Sequence, residues 1–102
     1  DEASKIYNST DTVFIDVRRE DEYINGHIKD AIFIPVDDIL TRIDELPQNK
    51  KLVFICAAGV RSGLACEMSA AMGINSDLLY SITEGTETWI EKGNPTSYGS
   101  EK

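Results

Sequence analysis

Apolar residues in this chain fall in short β-branched runs, separated by polar stretches that permit helix. Thr12, Val13, Phe14, Ile15, Asp16 and Val17 form a nearly all-apolar run, the pattern of a strand buried on both faces. Residues 18–25 are polar and predict a short helix ending at Gly26, with Arg18 and Glu22 four apart and able to pair on it. Ala31, Ile32, Phe33 and Ile34 predict a second strand, which Pro35 ends because it lacks an N–H. Asp37 or Asp38 can cap a helix whose Ile39, Leu40, Ile43 and Leu46 recur at helical spacing, and residues 47–50 break it. Leu52, Val53, Phe54 and Ile55 give the strongest strand signal. A helix is predicted over about 62–72, with Leu64, Ala65, Met68, Ala71 and Met72 on one face and Gly73 at its end. A strand over 77–82 and a short helix over 86–92 around Trp89 follow. Residues 4–8 predict a partial helix. The ordered core is expected over about 12–95, with a flexible tail at 96–102.

Strands alternating with helices require crossover connections. The expected fold is therefore one α/β domain spanning residues 1–102, with a mainly parallel central sheet and helices on both faces. Functional residues in such sheets gather at the carboxyl ends of the strands. Asp16 ends the first strong strand and Cys56 follows the third, so a carboxylate and a thiol are predicted on one edge.

Composition narrows the function classes. The 102 residues carry 10 Lys plus Arg against 18 Asp plus Glu, a net charge of -8. Such a surface repels phosphate backbones, which argues against nucleic-acid and anionic-membrane partners. No apolar stretch approaches membrane-spanning length and no signal-peptide pattern opens the chain. The first residue is Asp1 rather than Met, which reads as a trimmed start. Two cysteines are too few for a disulfide scaffold, so a cytoplasmic, reducing setting is expected. With a single histidine, His27, no zinc-ligand pattern is present and no metal is expected.

The segment Cys56, Ala57, Ala58, Gly59, Val60, Arg61, Ser62 carries the candidate chemistry. A cysteine at a strand end just before a helix faces unpaired backbone N–H groups. Gly59 frees the backbone to turn, the turn's own N–H groups form a concave anion nest, and Arg61 adds a positive charge. These features stabilise a thiolate. A free thiol with a pKa of about 8.5 is only ~3% ionised at pH 7, whereas a pKa near ~6.5 gives roughly three-quarters thiolate. Cys56 reads as a nucleophile rather than as a small buried hydrophobe. Cys66 reads the other way: it lies mid-helix, and a resolving-thiol role is disfavoured.

The same segment resembles the C-x-x-G-x-R-S active-site loop of single-domain rhodaneses, the sulfurtransferases. Asp16-Val17-Arg18, then Glu22-Tyr23 and Gly26-His27-Ile28, are similar to that family's D-V-R…E-[FY]…G-H-I signature. Residues 31–35 resemble its A-x-x-I-P stretch, and Trp89, Gly93 and Pro95 its closing W…G-x-P segment. The resemblance implies that Cys56 takes a sulfane sulfur from thiosulfate or a persulfide, holds it as a persulfide, and passes it to cyanide or a thiol, a protein thiol included. Backbone N–H groups of Ala57, Ala58, Gly59, Val60, Arg61 and Ser62 would cradle the charge, with no cofactor needed. Asp16 would support the loop, by orienting Arg61 or satisfying donors at the sheet edge. His27 would be structural.

The chain departs from the family where Pro-Gly usually follows G-H-I, having Lys29-Asp30, and where Gly-Gly usually precedes the Trp helix, having Glu84-Gly85-Thr86. With Arg61 the only cation in the loop and an acidic chain around it, a persulfide or protein donor is expected ahead of the thiosulfate dianion. Two other readings compete. One is a non-enzymatic binding or redox-regulatory module of the same fold. The other is a small cysteine-dependent phosphatase or arsenate reductase, disfavoured because four residues rather than five separate Cys56 from Arg61.

Overall fold

The two most apolar runs pair with each other at the centre of the molecule. A computed structural model describes residues 11–47, 49–56, 60–81 and 86–99, with the backbone alone for Val60, Arg61 and Glu87. Strands β1 (Thr12–Asp16) and β4 (Lys51–Ile55) lie parallel in the register Thr12 to Lys51 through Asp16 to Ile55. On their flanks are β3 (Ile32–Phe33) and β5 (Leu79–Ser81), giving a four-stranded parallel sheet in the order β3-β1-β4-β5. The crossovers carry the helices α1 (Glu20–Ile24) and α2 (Val60–Ala71), and a third helix, α3 (Thr86–Glu91), follows β5. A separate antiparallel ladder joins β2 (His27–Ile28) to β6 (Thr96–Ser97).

Strand alternation divides the core into two layers. Ile15, Leu52 and Phe54 point to one face, where they pack with Ile34, Ile39, Leu46, Cys56 and Ala65 of α2. Phe14, Val53 and Ile55 point to the other, against Ile28, Ala31 and Trp89 of α3. The expected α/β domain with a parallel sheet covered on both faces is thus the observed one. Among the described residues no helix is long and apolar enough to cross a membrane.

Several local expectations are corrected. Residues 37–46 form no α-helix but two 3-10 turns, Val36–Asp38 and Ile43–Glu45, the first entered from Pro35 rather than capped by an aspartate. The Thr41 hydroxyl donates to the Asp38 carbonyl, a side-chain bond that competes with helix propagation. Ile39 and Leu46 still reach the core. In α2 the buried stripe is Ser62, Ala65 and Ser69, while Leu64 and, one residue past the helix, Met72 are exposed. Small residues on that stripe let the helix backbone sit close to the sheet. The strand predicted over 77–82 begins with a 3-10 turn, Ser76–Leu78, and becomes extended only at Leu79, with Ile82 outside the described residues. The partial helix expected at 4–8 also lies outside them.

The flexible tail is corrected for its first four residues. Thr96 and Ser97 pair with Ile28 and His27, Ser97 is buried, and the Gly99 N–H donates to the Ile24 carbonyl at 2.8 Å. Lys29-Asp30 builds its turn by placing Asp30 at φ 68°, a left-handed conformation that aspartate tolerates better than most side chains.

Candidate functional site

Parallel pairing brings the carboxyl ends of β1 and β4 side by side, with Asp16 opposite Ile55 and Cys56 one residue beyond. The predicted convergence of carboxylate and thiol on one edge is therefore present in the backbone. Their side chains, however, have different partners.

Asp16 is fully buried, and its carboxylate is held by Arg18. The Arg18 backbone N–H donates to Oδ1 at 3.0 Å, Nε to Oδ1 at 2.9 Å, and Nη2 to Oδ2 at 2.7 Å. Nη2 also donates to the Gly26 carbonyl at 2.8 Å, which pins the loop after α1 against the sheet edge. Gly26 itself has φ +141°, and a Cβ there would lie 3.0 Å from Ile90 Cδ1 of α3. The predicted pairing of Arg18 with Glu22 is corrected: Arg18 precedes the helix and turns inward, while Glu22 accepts from the Arg19 N–H at 3.2 Å. A period-two reading would have found the Asp16–Arg18 pair, since residues two apart at a strand end share a side. The field of the pair is felt nearby. Burial raises the Tyr23 pKa first, the Asp16 charge raises it further, and Arg18 offsets part of this.

His27 is fully buried and belongs to the same framework. Its Nδ1 lies 2.8 Å from the Tyr23 carbonyl, so that nitrogen carries the proton and donates. The Tyr23 ring stacks between His27, at 3.7 Å, and Phe33, at 4.3 Å.

Cys56 is 1% exposed and packs in the core layer that contains Val17 and Ala65. Its Sγ lies 3.6 Å from Ser62 Oγ, in the first turns of α2. Ser62 is fully buried, and its Oγ is 2.7 Å from Ser81 Oγ at the end of β5. The fold therefore joins Cys56 to Ser62 and adds Ser81, which the sequence reading passed over as part of a strand. Its signal was a hydroxyl at the carboxyl end of a strand, in register with Phe54 two residues before the cysteine. Ala57, Ala58 and Gly59 lie outside the described residues, and Val60 and Arg61 are described only as the helical start of α2.

Among the described residues a cleft opens at this edge and another beside β3 and α1. One of about 350 Å³ is lined by Val17, Arg18, Arg19, Pro35, Val36 and Asp37, from the loops after β1 and β3. A larger one, about 660 Å³, opens beside Tyr23, Phe33 and Arg42, and Cys56 is not among its walls. Cys56 is not among the walls of the smaller cleft either, although Val17, which lines it, packs in the same core layer as Cys56.

Cys66 is a poor second thiol. Burial, with the neighbouring Glu67 charge, pushes its pKa from 9.0 up to about 11. The unfolded chain therefore releases this proton first as pH rises, and stability falls through the window between about 9 and about 11. Melting temperature against pH should show that loss in the wild type, and Cys66→Ala should lose less over the same window.

The chain matches the model of the rhodanese-like domain over residues 1–92. It is 28% identical over 93 residues to a sulfurtransferase of Allochromatium vinosum, covering 91% of this chain and 85% of that one. The structure superposes on a rhodanese-related protein from Thermoplasma volcanium with a TM-score of 0.79 and 32% identity, covering 93% of each chain. A rhodanese with anions from E. coli gives 0.70 and 28%, covering 86% of this chain and 99% of that one. The parallel sheet, the thiol at its edge and these likenesses agree, and the chain belongs to the rhodanese-like domain family.

Proposed function

We propose that this domain is a sulfurtransferase that carries sulfur on Cys56. The observation that carries the reading is the position of the thiol, at the carboxyl end of β4 and within reach of Ser62 in the helix that follows. The Cys56 thiolate attacks the terminal sulfur of the donor, forming a new S–S bond as the donor's own bond to that sulfur breaks. From thiosulfate the leaving group is sulfite; from a persulfide it is the donor's thiolate. An acceptor then attacks the outer sulfur, cyanide leaving as thiocyanate or a thiol as a new persulfide, and Cys56 regains its thiolate. No net oxidant or reductant is consumed. Backbone N–H groups of residues 57–62, with Arg61, hold the negative charge on the persulfide.

Two features favour a small terminal sulfur over a bulkier phosphoryl centre. Cys56 is 1% exposed, and only four residues separate it from Arg61. With a net charge of -8, long-range steering favours a persulfide or protein donor over the thiosulfate dianion.

Intact mass spectrometry of the reduced chain tests the reading. After incubation with a small persulfide donor the mass should rise by one sulfur atom, and cyanide should discharge it. Parallel incubation with thiosulfate ranks the donors, and loading much faster from thiosulfate would overturn the donor preference. No adduct from either donor would favour the binding or redox-regulatory reading of the fold.

A further inference from the structure

The hydroxyl at Ser81 extends the site beyond the cysteine loop. We propose that Ser81 is a positioning residue for sulfur transfer, setting the direction of the Ser62 hydroxyl so that it donates to Cys56 when the sulfur is charged. This deepens the proposed function and rests on it.

Cys56 Sγ, Ser62 Oγ and Ser81 Oγ form a chain with steps of 3.6 and 2.7 Å. While the thiol is neutral, its S–H donates to Ser62. A Cys56 thiolate has no proton on its sulfur and can only accept. Ser62 can then turn its own O–H toward the sulfur, with its oxygen facing Ser81 as an acceptor. Ser81 can fill that role, because the short contact allows either oxygen to donate.

The two serines divide the task by burial. Ser62 is fully buried, so its hydroxyl is oriented by protein groups, Ser81 among them, and not by solvent. Ser81 is exposed, and solvent can satisfy its oxygen while its O–H points inward. A donor behind Ser62 also polarises the Ser62 O–H and strengthens the bond it makes to the anion. The chain thus reverses as a unit when Cys56 ionises, with its outer end supplied by water.

The test is the pH dependence of Cys56 alkylation by iodoacetamide, followed by peptide mass mapping to separate it from Cys66. Ser81→Ala should move the alkylation midpoint up by about half a pH unit, a roughly threefold smaller thiolate fraction below the midpoint. Sulfur loading at those pH values should slow by a similar factor. Ser81→Thr, which keeps the hydroxyl, should return the midpoint to the wild-type value. An unchanged midpoint in a folded Ser81→Ala chain would overturn the proposal. So would an equal shift in Ser81→Thr, which would assign the effect to packing. If the wild type loads no sulfur, the sulfurtransferase reading fails, while the alkylation midpoints still decide the role of Ser81.

Discussion

Cys56→Ser should abolish sulfur turnover, lowering it by at least about a thousandfold, while the chain remains folded. Serine is close to cysteine in volume and can keep a hydrogen bond to Ser62, so the core layer around position 56 is little disturbed. An alcohol is not ionised near neutral pH and forms no persulfide, so both half-reactions are lost together. Steady-state assays with varied donor and acceptor should give parallel ping-pong lines for the wild type and no measurable rate for the variant. Turnover within tenfold of wild type would remove Cys56 as the sulfur carrier.

The second large effect is on stability. Asp16→Ala should destabilise the fold by about 3–5 kcal/mol, because it leaves the Arg18 guanidinium buried without its carboxylate. A domain of this size has only about 5–15 kcal/mol in total. At about 4–8 °C per kcal/mol the melting temperature should drop by well over ten degrees. Arg18→Met should act similarly by stranding the buried Asp16. Combining Asp16→Ala with Arg18→Met removes both charges, and the double variant should be more stable than the worse of the two singles. Thermal melts of the three variants check this. Strictly additive losses would mean that the ion pair acts through separate contacts, such as the Arg18 bond to the Gly26 carbonyl.

The parts of the fold legible in the sequence were those governed by burial on both sides. The runs around Phe14 and Phe54 became the central strands because a parallel strand under two layers leaves no polar face to confuse the pattern. The meeting of Asp16 and Cys56 on one edge followed from that parallel arrangement. What escaped depended on neighbours distant in sequence. Thr96 and Ser97 look like loop residues, and become a strand only because His27 and Ile28 offer an edge to pair with. Leu64 looked like a core residue, but Ser62, Ala65 and Ser69 face the sheet because their smallness allows close approach. Within the site, the place of the Cys56 thiol at the carboxyl end of a central strand was legible from the apolar run before it. Ser81 was not, since its partner lies 19 residues earlier and only the pairing of β4 with β5 sets them together.

Trp89, the single tryptophan, carries a practical consequence. It is 1% exposed, its indole N–H donates to the Pro95 carbonyl at 2.7 Å, and it packs on Phe14 in the layer opposite the one that holds Cys56. Its fluorescence therefore reports from one side of the sheet, and thiol chemistry reports from the other. During unfolding, one optical and one chemical clock can be read on the same chain without adding a label. If they keep the same time, the sheet and both its coverings melt as one cooperative unit. If the thiol becomes reactive while the indole is still shielded, the sulfur-bearing side opens by itself.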